Sequence, residues 1–194
     1  MLPLAFGLAI LVGAIVAAGI PAGGQTPKRG GILNSVLFED PPGLTAHESS
    51  TVSNVWPVSP CYSNLVYFHP LKPLDSAETV IPELAARWSW EDNYRSLVFF
   101  LRKNVRWHDG RPFTSRDVKY TFDLVREAPD APAKFRLSPR KDWYANVEAI
   151  EAPEPHTVVF RLKRPQPSLL LMLASGYSPV YPAHVPLPDL LPLG

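Results

Sequence analysis

The chain is short of cysteine, of net charge and of the local signatures of catalysis, and each shortage removes a class of function. Among its 194 residues there is one cysteine, Cys61, so no internal disulfide can form and the paired C-x-x-C spacing of a zinc or redox site is absent. Cys61 is read as a buried or idle thiol. Nineteen Lys and Arg against 18 Asp and Glu leave a formal charge of +1, with no basic block or stripe, which argues against a nucleic-acid partner. A G-x-S-x-G elbow, a P-loop and an H-E-x-x-H helix are missing too, which lowers the case for a hydrolase or nucleotidase. No catalytic residue, metal site or cofactor is therefore expected. What is present is apolar: 46% hydrophobic and 11% aromatic residues suffice for the core of one domain. The 23 prolines are spread along the chain, and since proline fixes φ and removes a donor, they predict short elements and many loops.

Charge is also missing from the first segment. Met1 to Pro27 carries no charged side chain, and Leu4 to Ile20 is almost wholly apolar. Residues 1–27 are read as a signal peptide or an N-terminal anchor plus linker. The small residues of Pro21-Ala22-Gly23-Gly24-Gln25 favour cleavage, and no cysteine follows the apolar run to take a lipid. Either reading places the remainder outside the cytoplasm.

Further on, Ile32 to Phe38 has the length and apolar content of a strand buried on both faces. A polar stretch from Thr45 to Asn54 follows, then Tyr62 to Phe68, which fits a helix end or a strand. Ile81 to Trp88 reads as a short helical turn, and Trp90 to Tyr94 as the turn before a strand over Leu97 to Arg102. Asp109-Gly110 marks a tight turn, because glycine accepts positive φ without steric cost. Thr114-Ser115-Arg116-Asp117 has the spacing of a capping box and predicts a helix start. Val118, Phe122 and Val125 then form one apolar stripe, and Pro129 and Pro132 are expected to end the helix. Asn146 to Glu151 and His156 to Lys163 predict a hairpin with one solvated face, and Leu169 to Ala174 a short apolar helix.

These segments together resemble the family 5 solute-binding proteins of ABC importers, whose ligands include oligopeptides, dipeptides and nickel chelates. The run Phe99 to Val118, with Leu101-Arg102, Val105, His108-Asp109-Gly110, Pro112, Thr114 and Asp117-Val118, follows that family's most specific motif. Gly30-Gly31-Ile32-Leu33, Asp40-Pro41-Pro42-Gly43-Leu44, Pro82 to Trp88 and Glu151 to Leu162 support it in the family's order. The resemblance implies a mixed α/β fold of α+β character, periplasmic-binding-protein-like type II, in which two lobes close on a ligand. Residues 28–185 correspond to the first lobe. Residues 186–194 do not resemble the glycine-rich segment expected there, so they are read as an atypical tail of a truncated chain whose second lobe is missing.

The implied function is an extracytoplasmic solute-binding component of an ABC importer, located in the periplasm, delivering an oligopeptide or dipeptide to permease subunits in the inner membrane. The full-length protein is expected to be a monomer. A non-functional fragment of such a carrier and a secreted hydrolase are the alternatives. For ligand contact the candidates are Glu48, Ser49 and Ser50 in the loop after the first strand, with Phe38 and Tyr177 behind them. Glu48 is suited to a ligand amine and the serines to peptide backbone. His108 and Asp109 are read as turn residues, and His47, His69, His156 and His184 as surface groups.

Overall fold

The computed structural model describes residues 30–32 and 34–191, so the expected signal or anchor and the last three residues lie outside it. Among the described residues no helix is long and apolar enough to cross a membrane. The chain divides into two units, Met1–Val36 and Leu37–Gly194. In the first, the described residues form no strand, and Ile32 and Val36 are exposed. Phe38, in the second, is 96% exposed. Among the described residues of Ile32 to Phe38 no strand is formed, because an apolar run becomes a buried strand only against a sheet edge, and none of the described strands pairs with it.

The second unit is built on a four-stranded antiparallel sheet and a two-stranded ribbon. The ribbon pairs β1 (Val66–Phe68) with β2 (Val80–Pro82). The sheet contains β3 (Ala85–Glu91), β4 (Ser96–Leu101), β5 (Val147–Glu154) and β6 (Thr157–Leu162) in the order β3-β4-β6-β5. Strands β4 and β6 are central and accordingly the most apolar: Leu97, Phe99, Val158 and Phe160 are fully buried. Val159 is buried, but Thr157 and Arg161 on the same face of β6 are part-exposed and Lys163 just beyond is exposed, so the β5–β6 hairpin keeps a partly solvated face.

The helical turn expected over Ile81 to Trp88 is instead the end of β2 and most of β3. Pairing decides this, since Trp88 stands opposite Phe99 and Trp90 opposite Leu97, and local helix preference yields to those cross-strand contacts. Tyr62 to Phe68 resolves as a strand at its end, β1.

Four helices complete the unit: α1 (Val52–Val58), α2 (Ser115–Val125), α3 (Leu169–Ala174) and α4 (Leu187–Leu190). Helix α2 starts where the capping signal places it, with the Asp117 carboxylate accepting the Thr114 backbone N–H at 2.7 Å. It packs on β5 and β6 through Val118, Phe122 and Val125. The Phe122 ring lies 5.4 Å from Phe160 and 5.5 Å from Tyr144. The helix ends before Pro129, because Glu127 takes φ 52° and turns the chain out of the α region.

Helix α2 also reaches toward the region that forms the cleft. Thr121 Oγ1 accepts the Tyr181 N–H at 2.8 Å, and the second oxygen of Asp117 accepts the Ala183 N–H at 2.9 Å. Tyr181 is fully buried, and its hydroxyl accepts the Ala46 N–H at 2.9 Å. A rigid helix thus fixes a buried tyrosine, which fixes a loop.

Candidate functional site

That loop runs from Thr45 to Glu48 and is irregular but buried. Buried backbone without a regular ladder needs partners elsewhere, and here side chains supply them. Asn54 Nδ2 donates to the Thr45 carbonyl at 2.8 Å. Arg140 Nη2 donates to the Ala46 carbonyl at 2.5 Å. His47 Nε2 meets the Pro179 carbonyl at 2.8 Å. Beyond the buried part, Ser49 and Thr51 bond each other at 3.2 Å, and Thr51 caps α1 by accepting the Asn54 N–H at 3.3 Å.

An open cleft of about 700 Å³ lies against this loop. Glu48, Ser49, Ser50, Thr51 and Asn54 line one side, and Arg136, Leu137 and Pro139 another. The Glu48 carboxylate accepts from the Arg136 backbone N–H at 2.7 Å, from Nε at 2.9 Å and from Nη2 at 2.6 Å. The Glu48 side chain is 5% exposed, and that of Arg136 is 59% exposed. The hydrogen bonds and negative charge of Glu48 raise the guanidinium above its ordinary pKa. The pair therefore presents a cation, not an anion, to the cleft.

Behind the loop sits a second arginine in a different setting. Arg140 is 1% exposed and bonds no carboxylate among the described residues. Its Nη1 donates to the Tyr177 carbonyl, and its Nη2, besides serving Ala46, lies 3.1 Å from His47 Nδ1. Its Nε is buried without a partner. Burial, and then the Arg140 charge, push the His47 pKa well below its ordinary value. The neutral ring accepts from Arg140 at Nδ1, so the Nε2 proton goes to Pro179.

Of the five residues expected at the site, Glu48, Ser49 and Ser50 line the cleft and Phe38 and Tyr177 do not. Tyr177 instead faces Trp143, with ring centroids 5.7 Å apart, and Arg140. Arg136 and Arg140 carried no sequence signal, since nothing local marks a residue whose partner lies some 90 positions away, and Asn54 was read only as the end of a polar stretch. His47 is 3% exposed and part of the core, not a surface group, because the loop that carries it folds inward. Cys61 is exposed rather than buried. Among the described residues no cluster of His, Cys, Asp and Glu could hold a metal ion. Asp109 accepts from Arg111 N–H at 3.0 Å and pairs with His184 at 2.7 Å, contacts that shape the turn at Gly110.

Residues 79–189, more than half the chain, match the family model for bacterial extracellular solute-binding proteins, family 5. The chain belongs to that family. A Brucella ovis protein whose name reads "Putative ABC transporter peptide-binding protein" is 36% identical over 108 residues, covering 55% of this chain and 19% of the relative. The D,D-dipeptide-binding periplasmic protein DdpA of Escherichia coli K12, so named as probable, is 32% identical over 133 residues, covering 68% of this chain and 24% of the relative. The chain thus spans about a fifth to a quarter of the length of these relatives.

Two solved structures of periplasmic binding proteins bear the same fold. The solute-binding protein MoaA from A. tumefaciens R10, in complex with mannopinic acid, matches with a TM-score of 0.61 and 30% identity over 75% of this chain and 28% of that chain. A dipeptide-binding protein from Pseudoalteromonas sp. SM9913, in complex with Met-Leu, matches with a TM-score of 0.64 and 21% identity over 75% of this chain and 30% of that chain. The mixed α/β architecture is therefore that of periplasmic binding proteins, and the matched portion is a part of their chains.

Proposed function

We propose that this chain contributes to an exported, periplasmic solute-binding component of an ABC importer, and that its cleft receives the carboxylate end of a peptide or other small organic acid. The exposed guanidinium of Arg136, braced by the buried Glu48 carboxylate, carries this reading. Glu48 already accepts three donors and is 5% exposed, so a ligand amine finds little acceptor capacity there. Arg136, by contrast, offers a planar fork suited to a carboxylate. Ser49 and Ser50 line the same cleft from the Glu48 side and supply hydroxyls for peptide backbone. In this reading Glu48 is a positioning residue that acts through Arg136.

Capture then delivers the ligand to permease subunits in the inner membrane, with closure of a second lobe completing the enclosure, as the family's architecture implies. The relatives named for peptide binding support the ligand class. Calorimetric titration of the full-length protein with dipeptides and oligopeptides, each with a free and an amidated C-terminus, tests it. A free carboxylate is expected to bind at least about tenfold more tightly, the worth of one charge-assisted hydrogen bond, and Arg136→Gln to erase most of that preference. Equal affinity for free and amidated peptides would refute the assignment of Arg136.

A further inference from the structure

A buried cation is tolerated only where its charge is met, and Arg140 meets carbonyls and a histidine instead of a carboxylate. Those partners belong to two separate loops: Ala46 and His47 on the cleft loop, and Tyr177 on the segment that follows α3. His47 closes the circuit, since its other nitrogen bonds Pro179 on that second segment. We propose that Arg140 and His47 form an acid-opened latch that holds the Thr45–Glu48 loop in the shape from which the cleft is built.

The surroundings of His47 leave protonation without compensation. From the segment 135–140 it faces Arg140 and the Phe135 ring, at a centroid distance of 5.6 Å. From the segment 177–181 it faces the Pro179 carbonyl and the Tyr181 ring at 4.7 Å, itself packed on Tyr62 at 5.3 Å. Tyr144 bonds Ser178, and the Tyr177 ring lies beside the Arg140 guanidinium. Glu48, the next residue, turns its carboxylate to Arg136. Among the described residues no carboxylate bonds His47 or Arg140. A proton on Nδ1 would set N–H against N–H and cation against cation at a contact of 3.1 Å. The ring must then leave, and the bonds to Ala46 and Pro179 leave with it.

The direction with pH follows. The folded state holds His47 neutral below the ordinary histidine pKa, so it binds fewer protons than the opened loop once the pH falls below about 6.5. Latch stability is complete above that pH. It weakens up to about tenfold for each unit of acidification, until the folded-state pKa is reached.

Hydrogen exchange of the intact chain without ligand reads the latch directly, so its outcome is independent of whether the cleft binds a carboxylate. Between pH 7.5 and 5.0 the opening constants of amides in 45–50 and 177–181, corrected for intrinsic rate, are expected to rise about tenfold or more, while those of β4 and β6 hold. His47→Gln keeps a donor and an acceptor without titrating, and is expected to abolish the rise. Arg140→Met is expected to raise opening of both segments at either pH. Proton NMR titration of His47 in the unaltered protein provides a test that needs no variant, with its midpoint expected well below 6.5. A midpoint at or above 6.5, an unchanged acid response in His47→Gln, or unchanged exchange in Arg140→Met would each overturn the latch.

Discussion

Removing the two partners of the Glu48–Arg136 pair should have unequal effects, and their difference tests the view that the pair is a buried anion bracing an exposed cation. With Arg136→Ala, the carboxylate, 5% exposed beneath the guanidinium, keeps only the backbone N–H of residue 136 from its three donors. Stranding a fully buried charge costs about 3–5 kcal/mol; because the lost guanidinium is more than half exposed, the expected loss is reduced to about 2–3 kcal/mol. With Glu48→Gln, an amide oxygen still accepts from the backbone and the freed guanidinium returns to water, so the expected loss is about 1 kcal/mol. Urea denaturation of both variants at pH 7 measures the two values. If Arg136→Ala proves no costlier than Glu48→Gln, the bracing account is wrong.

Two further outcomes concern the frame that carries the site. Phe122→Ala removes a fully buried ring packed between Phe160 and Tyr144, and should cost about 3–5 kcal/mol in chemical denaturation. Glu127→Gly should have the opposite sign: glycine accepts the positive φ that ends α2, while the ion pair lost to Lys141 is exposed and weak, so a stabilisation of about 0.5–1 kcal/mol is expected as a raised thermal midpoint.

The parts of the fold that could be read in the sequence are those whose cause is local. The start of α2 rests on Thr114 and Asp117, three residues apart, and the turn at Gly110 on its own φ, so both stand where the residues place them. Strands β4 and β6 and helix α3 follow from runs of apolar residues. Ile81 to Trp88 misled because its conformation is set by Phe99 and Leu97 on the neighbouring strand. Ile32 to Phe38 misled because apolar content does not supply a pairing edge. Glu48, Ser49 and Ser50, singled out as ligand candidates in their loop, do line the cleft, but the pairing of Glu48 with Arg136 could not be read, since Arg136 lies 88 residues further on. The inward turn of His47 depends on Arg140 and Pro179, equally remote.

The Thr45–Glu48 loop is shaped by Asn54, Arg136, Arg140 and Tyr181, not by a ladder of backbone bonds. A strand keeps its course through most substitutions because every residue type carries the same peptide group, whereas this wall keeps its course only while four particular side chains persist. Its contour is accordingly open to revision by single amino-acid changes that leave the sheet untouched. That separation lets the contour of the cleft change in small steps while the inherited scaffold stays as it is.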